Sequence, residues 1–126
     1  DVKVVDDGVM ISITDTLGYP MFEIGSAKPT GPIVVAMSSI AEAISGQPGK
    51  IRVYGHTDGR QYKAEKDGNW RLSADRARAA YLMLLHGGLD DSRVVQIAGF
   101  ADRRPRVADN PLADENRRIE ILIEKP

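Results

Sequence analysis

Two residues of opposite charge, Asp58 and Arg76, stand within one stretch from Gly55 to Ala77. It opens with Gly55-His56-Thr57-Asp58 and closes with Asn69-Trp70-Arg71-Leu72-Ser73-Ala74-Asp75-Arg76-Ala77. A carboxylate accepts hydrogen bonds from an ammonium, and a guanidinium offers a planar fork of donors to a carboxylate. Held side by side in one cleft, this pair would grip a zwitterion. The same two residues would also serve as a structural ion pair across the loop, since clefts hold many such pairs. Residue types and spacing leave both readings open.

The elements that must position the pair are legible on either side of it. Ile51-Arg52-Val53-Tyr54 alternates apolar and polar before a glycine, as a half-buried strand does, so Asp58 falls just past the strand's carboxyl end. Ser73 is a good N-cap for a helix from Ala74 to about His86, with Asp75 in its first turn and Gly87-Gly88 as its stop. Ala77, Tyr81 and Leu84 would form the buried face of that helix. Arg76 in a first turn would oppose the helix dipole at a cost of about 0.3–1 kcal/mol, which an anion bound there would offset. Between the two motifs, residues 59–68 form a polar stretch with glycine at each end, expected to be a surface loop or a flap beside the cleft. Tyr62 and Trp70 are candidate partner-facing aromatics.

The rest of the chain supplies a scaffold. Residues 2–5 and 9–13 flank Asp6-Asp7-Gly8 as a hairpin, with Val9, Ile11 and Ile13 on the core face. A turn at residues 16–20 leads into an irregular segment from Met21 to Pro29, anchored by Phe22 and Ile24. Thr30 caps a helix from Gly31 or Pro32 to about Ser45, whose buried stripe is Ile33, Met37, Ile40 and Ile44 and whose stop is Gly46. Val94 to Ala98 forms a core strand closed by Gly99, residues 100–115 form a long loop, and Ile119, Ile121 and Ile123 mark a final alternating strand. The order predicts an α+β fold of two layers: a mixed sheet in a βαβαββ order with both helices on one face, preceded by an N-terminal hairpin strand. The whole of residues 1–126 reads as a single domain, with 1–20 as an N-terminal hairpin extension. If the last strand runs antiparallel to the strand ending at Gly55, Arg117 shares parity with Ile119 and would point to the helix-covered side near Asp58, with Asn116 in the turn, while Arg118 points away; a solvated strand end fits the same parity, and parity alone leans toward it.

Composition narrows the classes of function. A chain of 126 residues with 42% hydrophobic and 28% charged residues suits one globular domain with a real core. Its formal net charge of −1 argues against a general nucleic-acid binder, although Arg103, Arg104 and Arg106 form a local basic cluster. With no cysteine there is neither a disulfide framework nor a thiolate zinc site. His56, Asp58 and His86 lack metal-ligand spacing, and no metal or cofactor is expected. A hydrolase built on His56 and Asp58 would need a nucleophile, and Ser73 is better used as a helix cap. Asp1 is not a natural start, so the sequence is expected to be a mature or excised piece.

Four motifs in order resemble the OmpA-like peptidoglycan-binding domain: Gly55-His56-Thr57-Asp58 after a strand, Asn69-x-x-Leu72-Ser73-x-x-Arg76-Ala77, Gly99-Phe100-Ala101, and Asn116-Arg117-Arg118 before the last strand. The segment at Phe22 and Pro29 fits as well. Within the family, the long connection after Asp58 and the Pro20-Met21-Phe22 segment most resemble the wall-binding domains of flagellar motor stators. The family's typical connection after the acid is shorter. The resemblance implies noncovalent binding of the diaminopimelate residue of the peptidoglycan stem peptide, without catalysis. Asp58 would take its ammonium and Arg76 its carboxylate, with Thr57, Asn69, Leu72 and Arg117 lining the site and His56 orienting the loop. It further implies a homodimer, a stator partner subunit reached through an upstream membrane segment, and a periplasmic domain of an inner-membrane-anchored protein.

Overall fold

The computed structural model describes residues 1–15, 20–60 and 68–126. The turn expected at residues 16–20 lies largely outside the described residues, as do Tyr62 and most of the 59–68 loop. Five strands and two helices follow in the order β1 (Val2–Val5), β2 (Gly8–Thr14), α1 (Gly31–Ser45), β3 (Ile51–His56), α2 (Gly68–His86), β4 (Val94–Gly99) and β5 (Arg118–Glu124). The sheet order is β1-β2-β5-β3-β4. β5 runs antiparallel to both β2 and β3, and β3 pairs with β4 in parallel through the α2 crossover. This is the α+β mixed sheet expected from the order of elements, with both helices on one face.

Alternation in the strands decides which face the helices cover. Ile51 and Val53 of β3 and Ile119, Ile121 and Ile123 of β5 meet Ile33, Met37, Ala41 and Ile44 of α1 and Ala77, Ala80 and Leu84 of α2. Each fully buried aliphatic side chain here contributes about 1.5–3 kcal/mol relative to exposure. Ile40 and Tyr81, expected in the buried stripes, are only partly buried, and Ala41 and Ala80 take the central positions. Small residues at those positions let the two helices approach each other. Val9, Ile11 and Ile13 are partly buried on the core side of β2, while Ser12 is buried on the opposite face. That opposite face carries Arg52, Tyr54 and His56 of β3 across from Leu122, Glu120 and Arg118 of β5.

Several local expectations need correction. α2 begins at Gly68, so Ser73 lies inside the helix rather than at its N-cap, and Arg76 and Asp75 lie beyond its first turn. The dipole argument for Arg76 therefore fails. Thr30 is the N-cap residue of α1, but its hydroxyl makes no cap bond; it donates instead to the carbonyls of Pro20 at 2.7 Å and Met21 at 3.2 Å. Of the two anchors expected in the 21–29 segment, Phe22 is buried and Ile24 is 89% exposed. Met21 takes the second core position, and a bridge between Phe22 and Pro29 closes the segment. At the far end of α2 the expected stop holds. Gly88 has φ +103°, and the N–H groups of Leu89 and Gly88 bond to the carbonyls of Leu84 and Leu85 at 3.0 Å each.

α2 lies so close to the sheet that two strand positions admit no side chain. A Cβ on Gly55 would stand 2.1 Å from the Ser73 carbonyl oxygen, and one on Gly99 would stand 2.3 Å from the Ala74 nitrogen. This contact fixes the carboxyl ends of β3 and β4 against the turn of α2 that precedes Arg76. Gly99→Ala should therefore cost roughly 2–3 kcal/mol or more in urea unfolding, at the upper end of overpacking penalties. Gly31→Ala, with nothing within 4 Å of the added carbon, should stay within about 0.5 kcal/mol. Matching midpoints for Gly99→Ala and the parent domain would refute the close approach.

Candidate functional site

At the carboxyl end of β3 the chain turns through Thr57 and Asp58, both buried. The Thr57 N–H donates to the Ala101 carbonyl at 2.9 Å, and the Ala101 N–H donates to Ser73 Oγ at 2.9 Å. Ser73 thus ties the loop to α2; its own hydroxyl donates back to the Trp70 carbonyl at 3.0 Å. Ala101 sits at φ 51°, a left-handed conformation costing a non-glycine residue about 1 kcal/mol or more. The two hydrogen bonds hold it there. Below this loop, His56 Nε2 and Glu120 Oε1 lie 2.7 Å apart, and the imidazole stacks on Phe100 with ring centroids 5.4 Å apart. Arg118 donates to Glu120 Oε2 at 3.1 Å and to the Arg104 carbonyl at 2.8 Å. His56 is thus buried support under the loop.

The Asp58 carboxylate is fully buried and doubly engaged. Oδ1 accepts the Arg60 N–H at 2.9 Å, a local turn contact, and Oδ2 accepts Arg117 Nη1 at 2.5 Å. Arg117 also donates through Nε to Asp15 at 2.8 Å and through Nη2 to Asp114 at 2.6 Å. Burial lowers the proton affinity of this guanidinium, but its hydrogen bonds to Asp15, Asp58 and Asp114 outweigh that and raise its pKa above the ordinary value.

Arg76 is buried on α2 and faces the 21–29 segment. Its Nε donates to the Ser26 carbonyl at 2.8 Å, its Nη2 reaches the Glu23 carbonyl at 3.4 Å, and its guanidinium lies 5.1 Å from the Phe22 ring centroid. Asn69, at the start of α2, donates Nδ2 to the Arg60 carbonyl at 2.8 Å and so joins the helix to the Asp58 turn. Thr57 Oγ1 and Asn69 Oδ1 are buried without a hydrogen-bond partner among the described residues. Leu72 lines a cavity of about 200 Å³ between residues 25–27 and the first turns of α2, together with Gly25, Ser26, Arg71 and Asp75. A larger hollow of about 730 Å³ lies at the other end of β3, lined by Lys50, Lys125 and Arg93, the last already bound to the Gly49 and Ile44 carbonyls.

The guanidinium on Asp58 is therefore Arg117, while Arg76 belongs to the 21–29 segment. Asp15 joins the two. Its Oδ2 takes Arg117 and its Oδ1 accepts the Met21 N–H at 2.9 Å, at the head of the segment that holds Arg76. Reasoning from the sequence missed Asp15 and Asp114. Asp15 has a usable signal only once β2 is paired with β5: Thr14 faces Arg118, so the next residue of β2 meets Arg117.

The chain has relatives among known proteins. The OmpA family matches residues 21–118. The chain belongs to that family. It is 38% identical over 125 residues to Motility protein B of Escherichia coli K12, a match spanning 97% of this chain and 40% of that protein. It is also 29% identical over 127 residues to Motility protein B of Bacillus subtilis, covering 98% of this chain and 48% of the relative. The chain thus spans less than half the length of these two relatives. Among solved structures, the periplasmic domain of Helicobacter pylori MotB superposes with a TM-score of 0.83 at 20% identity, covering 99% of this chain and 88% of that one, a likeness of fold. The cell wall anchor of the type VI secretion system of Pseudomonas aeruginosa superposes with a TM-score of 0.76 at 27% identity, covering 99% and 87%.

In this OmpA-family domain, Glu120 makes the support beneath the site sensitive to acid. Burial, the largest single influence, pushes its carboxyl up. The hydrogen bond from His56 and the charge and hydrogen bond of Arg118 outweigh it and bring the pKa from 4.5 down to about 2. A carboxyl depressed in the folded state stabilises above its unfolded pKa and loses that contribution as pH falls through the folded one. Glu120→Gln should cost on the order of 1–3 kcal/mol at pH 7. The gap from the parent should narrow as pH drops from 4.5 toward 2. Denaturant unfolding of both proteins across that range checks it; a gap independent of pH would contradict the assignment.

Proposed function

We propose that this domain binds peptidoglycan noncovalently, through the diaminopimelate residue of the stem peptide, and anchors a flagellar motor stator to the cell wall. The carrying observation is a set of buried polar side chains at the Thr57-Asp58 turn and the start of α2: Asp58 offers a buried carboxylate, and among the described residues the buried Thr57 Oγ1 and Asn69 Oδ1 lack partners, as does His56 Nδ1 at the end of β3. Buried polar groups are normally satisfied, and a protonated amine carries three donors for such acceptors. Arg76, across the start of α2, supplies the fork for the carboxylate at the same end of diaminopimelate. Leu72 gives the apolar wall against which the aliphatic chain packs, and Arg117 backs Asp58.

The relatives named for motility favour the stator as the thing anchored. In that setting the domain is periplasmic, acts as a homodimer, and belongs to an inner-membrane-anchored protein whose upstream segment meets a stator partner subunit. The likeness at 27% identity to a secretion-system wall anchor favours a second reading, the same ligand held by another envelope machine. Neither reading requires catalysis.

Cosedimentation with purified diaminopimelate-type sacculi tests the site. Wild-type domain should pellet, and Asp58→Asn and Arg76→Gln should each lose at least about tenfold in affinity, as removal of a charge-assisted contact predicts. Unfolding midpoints of the three proteins, measured in parallel, separate lost binding from lost structure. Equal pelleting of all three would reject the assignment, and release of soluble muropeptides from the sacculi would overturn the noncatalytic reading.

A further inference from the structure

We infer that Arg117 is the free domain's own stand-in for the ligand's ammonium, so that capture is an exchange of cations at Asp58 Oδ2. The inference rests on the peptidoglycan reading above. Asp58 is 0% exposed, with Oδ1 held by the Arg60 N–H and Oδ2 by Arg117 Nη1. Asp58 is wholly enclosed, so an incoming ammonium reaches this carboxylate only if a group covering it moves aside, and its two donors are the nearest candidates. The Arg60 donor is main chain two residues on, and its release would undo the turn that positions Asp58. Arg117 is free to leave without losing its charge partners, because Asp15 and Asp114 already hold its Nε and Nη2 at 2.8 and 2.6 Å. Its main chain stays fixed by the Arg117 N–H bond to the Asp114 carbonyl at 3.0 Å, so the guanidinium withdraws Nη1 by tilting about its Nε and Nη2 bonds.

Charge and donor counts agree with the exchange. Three carboxylates, Asp15, Asp58 and Asp114, converge on one guanidinium, and the next cation, Arg60, stands 4.0 Å from Asp58 Oδ2 with its side chain half exposed and screened. A second buried cation therefore lowers the electrostatic energy of the cluster. An ammonium at Oδ2 brings three N–H donors, and the vacated oxygen plus Thr57 Oγ1 and Asn69 Oδ1 supply three acceptors. The guanidinium now at Oδ2 leaves those last two atoms unused.

The exchange and an ordinary lining role for Arg117 predict opposite signs. The probe is the tripeptide L-Ala-γ-D-Glu-meso-diaminopimelate, titrated calorimetrically into the domain. Arg117→Gln, which removes the internal competitor, should bind it at least about threefold more tightly. Asp114→Asn, half exposed and outside the ligand's reach, should bind it about three- to tenfold more weakly, because the cluster then holds two cations with one fewer anion. A structure of the wild-type complex should place Arg117 on Asp15 and Asp114 with Asp58 Oδ2 given to the ligand. This arm and Asp114→Asn stand whether or not Arg117→Gln folds. Weaker binding by Arg117→Gln, or a complex that keeps the Arg117 to Asp58 bond, overturns the exchange while leaving the site assignment intact. Failure of the wild type to bind the tripeptide, or binding unaffected by Arg76→Gln, overturns the site reading and the exchange with it.

Discussion

The constraint on which the functional end of this domain depends is the burial of one carboxylate. An ionised Asp58 withdrawn from water is unfavourable by several kcal/mol unless donors replace its hydration. A backbone N–H and one arm of Arg117 do so. That requirement reaches across the chain: Arg117 must sit at the head of β5, β5 must lie beside β3, and Asp15 just past β2 and Asp114 must take the remaining guanidinium nitrogens, Nε and Nη2. The central place of β5, between β2 and β3, follows the same geometry. It is the position from which one side chain meets acids borne by strands on both sides.

A second constraint is distance. The ends of β3 and β4 touch the backbone of α2 at Gly55 and Gly99, and Ser73 and Ala101 lock the contact with hydrogen bonds. Asp58 lies three residues beyond the first contact and Arg76 three beyond Ser73, so their separation is set by a packed backbone junction. Arg76 is held on its other side by the carbonyls of Ser26 and Glu23 and by the ring of Phe22, whose burial fixes the 21–29 segment. For the zwitterion binding proposed above, such rigidity leaves little ordering to be paid on binding. The opposite face of the sheet contributes support: His56, Phe100, Glu120 and Arg118 fill the space beneath the loop with hydrogen-bonded and stacked contacts and a carboxyl kept ionised well into acid.

The sequence by itself determined the elements, their order and the core-facing side of β2, β3 and β5, whereas β4, expected as a core strand, lies at the sheet edge with Val95 and Ile97 exposed. These follow from local periodicity: the alternation of Ile119, Ile121 and Ile123, the stripe of Ile33, Met37 and Ile44, and the Gly88 stop. Parity put Arg117 on the side of Ile119, at the edge where Asp58 lies, but a solvated strand end fitted that parity as well, and the bond to Asp58 is what the packed fold adds. The motifs at Asp58, Asn69 and Arg76 likewise marked the end of the sheet where the candidate site lies.

Only the tertiary structure decided which arginine meets Asp58, since Arg117 lies 59 positions further along the chain, with no local signal of the contact. It also decided where α2 begins. Ser73 has the chemistry of a cap, yet its hydroxyl is drawn to Ala101, a partner 28 residues away, and the helix extends back to Gly68. Ile24 read as an anchor from hydrophobicity alone, and Met21 won the core position because the Asp15 and Thr30 bonds fix how the segment enters. Each of these outcomes was settled by competition among non-local partners for the same donor, acceptor or cavity. Local spacing proposes the candidates for such a competition, and the packed fold selects among them.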